Sequence, residues 1–303
     1  MRTAPLNTGI DCQVKMVAPA LYILMPASAK WTEEDEEDFL AFVMTKVHAT
    51  AKDRWYPIFG NNAPVRTIND SKESDVIVTY DDGSQAFIRN GTITRTLMTN
   101  KGGLAYAQAL MSFNGLRNWA FVEVDKLNNV HRKQNADGTF SGTPLNMAYA
   151  PTPDPATLKD EFKPAFSINY TADDYIMKGV ISNSDENLLD LMGLINAELT
   201  DAGASTATKL KFGIRTIGKN DDLVAAYAQL ADLTVVKVTN KATGAVVTPA
   251  SAAVTGGHIE LTGVFTAGQT FVIVGTTPAA MKALTPSVEG YEITKGVEIA
   301  IPA

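Results

Sequence analysis

Apolar positions change period along the chain, and the changes mark its elements. Phe39, Phe42, Val43 and Val47 recur at helical spacing. Thr32 stands ahead of them as a cap, and Glu33, Glu34 and Asp35 fill the first turn, where negative charge meets the positive helix end. With Lys46 and Lys52 toward the other end, the pattern predicts a helix over 33–52. Before it, two apolar runs separated by Pro19 predict strands over 12–17 and 20–25. After it, strands over 76–80 and 85–89 flank Asp81-Asp82-Gly83-Ser84, and Asn90-Gly91 leads into a strand over 92–98. Asp-Gly and Asn-Gly supply the positive φ of tight hairpin turns, so this stretch reads as an antiparallel meander.

A short helix follows over 104–113, then a second meander with strands over 118–125 and 130–134. Its turns fall at Leu127-Asn128-Asn129 and Asn135-Ala136-Asp137-Gly138. Pro151, Pro153 and Pro155 make 150–159 a loop, because proline cannot pair inside a sheet. Strands resume over 165–170 and 175–181. Leu188, Leu191, Met192, Ile195 and Leu199 suggest a second amphipathic helix over 185–200, with Gly193 counting against it. Farther on, Leu210, Phe212 and Ile214 alternate with Lys209, Lys211 and Arg215, as in a half-buried strand. Asn220 is expected to cap a helix running to Leu230. Beyond it come short Val/Thr-rich strands over 234–239, 245–248, 258–261, 270–275 and 292–301, with turn signals every 8–12 residues or so.

The expected fold is therefore mainly β (α+β). Residues 1–230 form an antiparallel, hairpin-rich β-sandwich or barrel with one or two packed helices. Residues 231–303 form a small immunoglobulin-like β-domain, with a soft boundary near Ala231.

Composition narrows the function classes. The chain has 303 residues, 45% hydrophobic and 19% charged, enough to bury a sizeable core. A net charge of −7 argues against a surface that neutralises nucleic-acid phosphates. Cys12 stands alone, so an intramolecular disulfide framework is impossible. The apolar run 14–25 is too short to span a bilayer, and no basic leader precedes it. The expectation is a protein folded in a cytoplasm without a membrane anchor.

Candidate chemistry is thin. Residues 213–220 nearly fit a phosphate-binding loop between a strand and a helix. Against it, Asn220 replaces the hydroxyl residue that binds magnesium, and Asp221 and Asp222 would repel phosphate. His48, His131 and His258 have no ligand spacing, so no metal site is expected. The pairs Asp81-Asp82, Asp173-Asp174 and Asp221-Asp222 are neighbours in sequence only, which does not make two carboxylates facing one cleft. Asn135–Gly138 looks like half of a calcium loop, but Pro144 stands at the closing position. Trp31, Trp55 and Trp119 are scattered and form no sugar-binding stripe. No catalytic, cofactor-binding or metal residue is assigned, and the chain is not expected to be an enzyme.

Four stretches carry a resemblance: Gly-Ser-Gln-Ala-Phe-Ile-Arg-Asn-Gly at 83–91, Asn-Ala-Asp-Gly-Thr-Phe-Ser-Gly-Thr-Pro-Leu at 135–145, Phe-Ser-Ile-Asn-Tyr at 166–170 with Asp173-Asp174-Tyr175, and Val-Glu-Gly-Tyr-Glu at 288–292. Together they resemble a family of structural proteins of phages and prophages of Bacteroidetes bacteria. The resemblance implies a virion component made in the host cytoplasm, with a tail-tube-like role and no site residues. Its partners would be copies of itself, in a ring or tube, and other virion proteins. Long hairpins and the proline loop would reach neighbouring subunits. Net negative charge would keep packaged DNA off a lumen, and the C-terminal domain would decorate the outside. A capsid, head-decoration or connector protein stays open, as does a carbohydrate-binding or adhesin module.

Overall fold

The computed structural model describes residues 17–115, 117–153, 156 and 161–302. Cys12, Pro155 and most of the strand expected over 12–17 lie outside the described residues. The protein is mainly β, with several antiparallel sheets and no closed barrel among the described residues. Contacts divide it into two compact units, residues 1–47 with 52–192, and residues 48–51 with 193–303. The change of character expected at Ala231 falls inside the second unit, because strands that precede it share a sheet with strands that follow it.

In the first unit the strands are β1 (Pro19–Pro26), β2 (Tyr56–Phe59), β3 (Thr67–Lys72), β4 (Val76–Thr79), β5 (Gln85–Arg89), β6 (Thr92–Met98), β7 (Trp119–Asp125), β8 (Asn129–Gln134), β9 (Phe140–Ser141), β10 (Thr143–Tyr149), β11 (Ala165–Thr171) and β12 (Gly179–Asn183). Three helices join them: α1 (Glu34–Glu37), α2 (Phe39–Val47) and α3 (Gly103–Met111). Ten strands make one branched sheet in the order β12-β8-β7-β10-β11-β6-β3. β1 runs along β7 and carries β2, and β9 pairs with β8. β4 and β5 pair only with each other.

The strand β1 explains its own composition. Leu21 to Met25 are fully buried, so both faces need apolar side chains and the run does not alternate. Tyr22 and Leu24 join Ile58, Phe121, Phe166 and Ile168 in one core. A separate aromatic cluster forms where Trp31 meets Trp55 edge-on at 5.4 Å and lies 5.9 Å from Phe39. The tryptophans that look scattered in sequence thus pack inward, Trp31 and Trp55 buried together and Trp119, partly buried, against Tyr56 and Phe113.

The helix expected over 33–52 is broken. Asp38 leaves helical geometry and its carboxylate accepts the Ala41 N–H at 3.0 Å, capping α2 afresh. Thr32 does not cap; its N–H and hydroxyl both donate to Asp35. The apolar face holds, with Phe39, Val43 and Val47 buried. The strand expected over 175–181 starts only at Gly179, after a helical turn over Asp173–Met177.

The second unit contains β13 (Ile195–Asp201), β14 (Lys209–Thr216), β15 (Val236–Asn240), β16 (Val246–Val247), β17 (Ser251–Thr255), β18 (His258–Thr262), β19 (Thr270–Gly275), β20 (Tyr291–Lys295) and β21 (Val297–Ala300), with α4 (Leu223–Ala226) and α5 (Pro278–Lys282). One sheet runs β17-β18-β14-β13-β20 and the other β16-β15-β19-β21. Both fill one core: Leu210, Phe212 and Ile214 from the first, Val238, Phe271 and Ile273 from the second. The helix expected over 185–200 is instead a short turn at Leu188–Asp190 followed by β13. Ala197 and Leu199 are buried at strand spacing there, and β14 supplies the ladder. The strand expected over 292–301 splits at Gly296, β20 going to one sheet and β21 to the other. A side chain at Gly296 would come within 2.5 Å of the Ile273 carbonyl.

Candidate assembly interface

Three features of the first unit stand out against its covered core. The first is an arm over 73–91. The residues on either side of it belong to β3 and β6, which pair with each other up to Lys72 and Ile93. Between them the chain leaves the sheet as the β4–β5 hairpin, turned at Asp81–Ser84. Asn90-Gly91 is therefore no hairpin turn, since β5 and β6 do not pair. Gly91 is the point where the two legs cross: an added Cβ would lie 1.8 Å from the Glu73 carbonyl oxygen. Two carboxylates clasp the crossing where the regular ladder fails. Glu73 accepts from the Thr92 N–H and hydroxyl and pairs with Arg89 at 3.3 Å; Asp75 accepts the Gly91 N–H at 2.8 Å and pairs with Lys72 at 3.0 Å. These bonds hold both carboxyls below the ordinary range.

The arm is apolar on both faces. Ile77 and Phe87 are cross-strand partners on one face; Val78, Tyr80 and Ile88 lie on the other. Phe87 is 58% exposed, Ile88 56%, Tyr80 54% and Ile77 53%. A lone two-stranded hairpin is marginal in water, and large side chains exposed together mark a surface that is covered in use.

The second feature is a pair of open edges on the four-stranded section β10-β11-β6-β3. β3 ends the sheet. β10 meets β7 only at Thr143 and Pro144, and beyond them no strand among the described residues pairs with that edge. Ala150 gives its N–H and takes an N–H from the Asn114 amide there, at 2.7 and 2.9 Å. By strand alternation Ala148, itself only 6% exposed, turns its N–H and C=O to the same side.

The third feature is the polar face of that section, half-buried at Thr94, Thr96 and Asn169 and buried at Ser167. Cross-strand register places Asn69, Thr96, Ser167 and Tyr149 in one row, and Ser71, Thr94, Asn169 and Met147 in the next. Thr96 and Ser167 share a hydrogen bond of 2.6 Å; Asn169 donates to Thr94 at 2.8 Å and accepts from Asn146 at 2.9 Å. Apart from Met147 these rows carry hydroxyls and amides, and none of their side chains is charged. The opposite face carries Leu97, Phe166 and Ile168, all fully buried.

The richest cluster of ionisable groups lies on that buried face. Arg95 donates from Nε and Nη2 to Asp70 at 2.8 Å each, and from Nη1 to Glu123 at 2.9 Å and Tyr22 at 3.1 Å. Glu123 also accepts the hydroxyls of Tyr22 and Tyr175 at 2.9 and 3.2 Å. Burial pushes the Glu123 carboxyl up. Burial opposes the Arg95 charge too, but the hydrogen bonds to Asp70 and the surrounding negative charge outweigh it and hold the guanidinium protonated. His131 sits beside the cluster, its ring 4.0 Å from Tyr175 and its N–H given to the Tyr175 carbonyl. Burial, then the charges of Arg132 and Arg95, bring it down to about 4. The cluster's donors and acceptors engage one another, which makes it a pin between β1, β3, β6 and β7. Two open concavities, one along Arg66, Thr99, Asn100 and Lys163 and the other along Ser28, Lys30, Asp53 and Trp55, are lined by other residues.

The sequence candidates fall apart. Residues 213–216 belong to β14, and Gly218 and Asn220 take positive φ in a tight reversal. Asp222, not Asn220, caps α4, accepting from Val224 and Ala225 at 2.9 and 3.2 Å. Asp82 accepts from Ser84 within the arm's turn, Asp173 accepts from Asn90 at the arm's base, and Asp174 pairs with Lys133 and Lys178. Asn135–Gly138 closes as a turn, with Asp137 paired to Lys30 at 2.9 Å. His48, His131 and His258 lie in separate places. Among the described residues no three His, Cys, Asp or Glu side chains gather as a metal site, and no helix is long and apolar enough to cross a membrane. Sequence reasoning missed the uncharged face and the pin. Their signals were Thr-x-Thr-x-Thr at 92–96, Ser-x-Asn-x-Thr at 167–171, and Glu123 between the apolar Val122 and Val124. The chain matches no model of a known protein family and no curated protein.

Proposed function

We propose that this chain is a structural subunit of a phage virion, a tail-tube protein whose copies join edge to edge into rings that stack into a tube. The open edges of β10 and β3 carry the reading. Each copy offers an even number of antiparallel strands, so β3 of one copy meets β10 of the next running antiparallel, and every contact repeats the first. Such head-to-tail pairing closes into a ring and removes the exposed edges that otherwise invite uncontrolled pairing. The arm supports the same reading, since its two apolar faces fit the surface of a second copy. The first unit acts as the hairpin-rich sandwich of the wall. The second, with two sheets around one core, is a small immunoglobulin-like β-sandwich. The role requires no catalysis, and the protein resides in the virion after synthesis in the host cytoplasm.

Negative-stain electron microscopy of the purified protein tests this: rings or tubes are expected. Ala148→Pro deletes an N–H of the β10 edge and should abolish rings; because Ala148 is a buried core residue, it is compared with Ala148→Gly, which disturbs the same position but keeps the N–H and should still form rings. A protein that stays monomeric at high concentration, or one missing from purified virions by mass spectrometry, overturns the reading.

A further inference from the structure

Asn90-Gly91 has no turn to make, since β5 and β6 do not pair. Gly91 is explained by the crossing of the arm's two legs, where an added Cβ would lie 1.8 Å from the Glu73 carbonyl oxygen. Asn90 is not, because any small donor would serve Asp173. The chemistry of the dipeptide sets it apart. The backbone nitrogen after an asparagine can attack the side-chain amide carbon. A new N–C bond forms, the bond to the amide nitrogen breaks, ammonia leaves, and a cyclic imide remains. Water then opens the imide to aspartate or isoaspartate. Glycine is the partner that reacts most readily, having no side chain to obstruct ring closure. We infer that Asn90-Gly91 is a self-modifying site held shut by the clasp of the arm, so that opening of the arm's base leaves a covalent mark that prevents it from closing again.

The clasp anchors each reacting group separately. Gly91 is buried and Asn90 half-buried. The Gly91 N–H, which must give up its proton before the nitrogen attacks, donates to the Asp75 carboxylate at 2.8 Å. The Asn90 amide nitrogen, which must leave, donates to the Asp173 carboxylate, and that bond fixes the amide's orientation. Arg89 donates to the Asn90 carbonyl at 3.3 Å and pairs with Glu73. Ring closure therefore waits on local opening of the arm's base. Once formed, the product does not fit the closed base. Glu73, Asp75 and Asp173 already stand there against the cations Lys72 and Arg89. A further carboxylate at position 90 donates nothing to Asp173 and repels it. Isoaspartate also adds a methylene to the backbone beside a crossing that has no room even for a Cβ. The chain's second Asn-Gly, Asn114-Gly115, provides the contrast. Its amide is tied to Ala150, giving to the carbonyl at 2.9 Å and accepting the N–H at 2.7 Å, so its reactivity follows the packing there and not the clasp.

The test incubates the full chain at neutral pH and follows both Asn-Gly sites by peptide mass spectrometry that resolves asparagine, aspartate and isoaspartate. In the folded parent Asn90 should stay intact far longer than in the same chain dissolved in urea. Asp75→Ala, and separately Asp173→Ala, should speed modification of Asn90 about tenfold, the worth of one hydrogen bond to a charged group, and leave Asn114 at the parent's rate. Asn90→Asp should raise amide hydrogen exchange in β4 and β5 and leave that of β11 unchanged. Equal rates at Asn90 in the folded parent and in urea overturn the inference, as do clasp variants in which Asn90 is as slow as in the parent. A rise at Asn90 and Asn114 together means that the variants loosen the whole unit, and overturns the clasp as the gate. Parent-like exchange in the arm of Asn90→Asp overturns the one-way step. No readout here depends on ring formation.

Discussion

Arg95 and Glu123 show how much a single pair can depend on its surroundings. Removing Arg95 leaves a carboxylate stranded in the core, so Arg95→Met should destabilise the first unit by about 3–5 kcal/mol. Adding Glu123→Gln should recover a substantial part of that loss, because the orphaned charge goes; denaturant titration of the three variants gives the coupling. His131 makes a pH prediction. In the unfolded chain it binds a proton near 6.5, in the folded protein only near 4. Between those values the unfolded state holds more protons, so stability falls as pH drops from 6.5 towards 4, by up to about 3 kcal/mol. His131→Phe should flatten that slope, measured as the change in denaturation midpoint between pH 7 and pH 4.5. Neither role is visible in sequence. Glu123 reads as an interruption in an apolar run, and its partners come from positions 22, 95 and 175.

At the scale of elements, the arm is legible in sequence as a hairpin, but not as one that leaves the sheet. Asp81–Ser84 reverses the chain by local turn chemistry alone, and the strands on either side follow from their apolar runs. Whether the strand after Asn90-Gly91 returns to its neighbour or leaves for another sheet depends on β3 and β11, far away in sequence. The crossing gives a test. Gly91→Ala forces the Glu73 carbonyl to move and should cost about 1–3 kcal/mol, with loss of rings if the arm's direction matters to assembly. Phe87→Ser with Ile88→Ser touches no core residue. It should leave the unfolding midpoint within about 0.5 kcal/mol of the parent, lower the retention of a surface dye that reports exposed apolar groups, and weaken assembly in sedimentation. Assembly as strong as the parent's would show that the arm serves another purpose. The segment over 185–200 differs from its expectation for another reason. Leucines at 188, 191 and 199 match a helix, but Ala197 and Leu199 also match a strand, and β14 as a partner decided for the strand.

At the scale of the whole molecule each unit has buried core of its own. Scanning calorimetry should resolve two transitions, and Phe212→Ala, which empties part of the second core at a cost of about 3–5 kcal/mol, should move only one of them. A single transition that shifts as a whole would mean the two units unfold together. The sequence by itself determined the β-rich class, the tight turns at Asp82-Gly83 and Asp137-Gly138, the apolar face of α2 and the lack of a recognisable catalytic motif. These rest on period, turn dipeptides and charge, which act over a few residues. Only the tertiary structure decided the division at residues 192 and 193, the branching of the large sheet, the exposure of the arm and the charge-free face opposite a filled core. Those depend on which strands pair across long separations, and strand pairing is set by the competition of every edge in the molecule, which no local pattern contains.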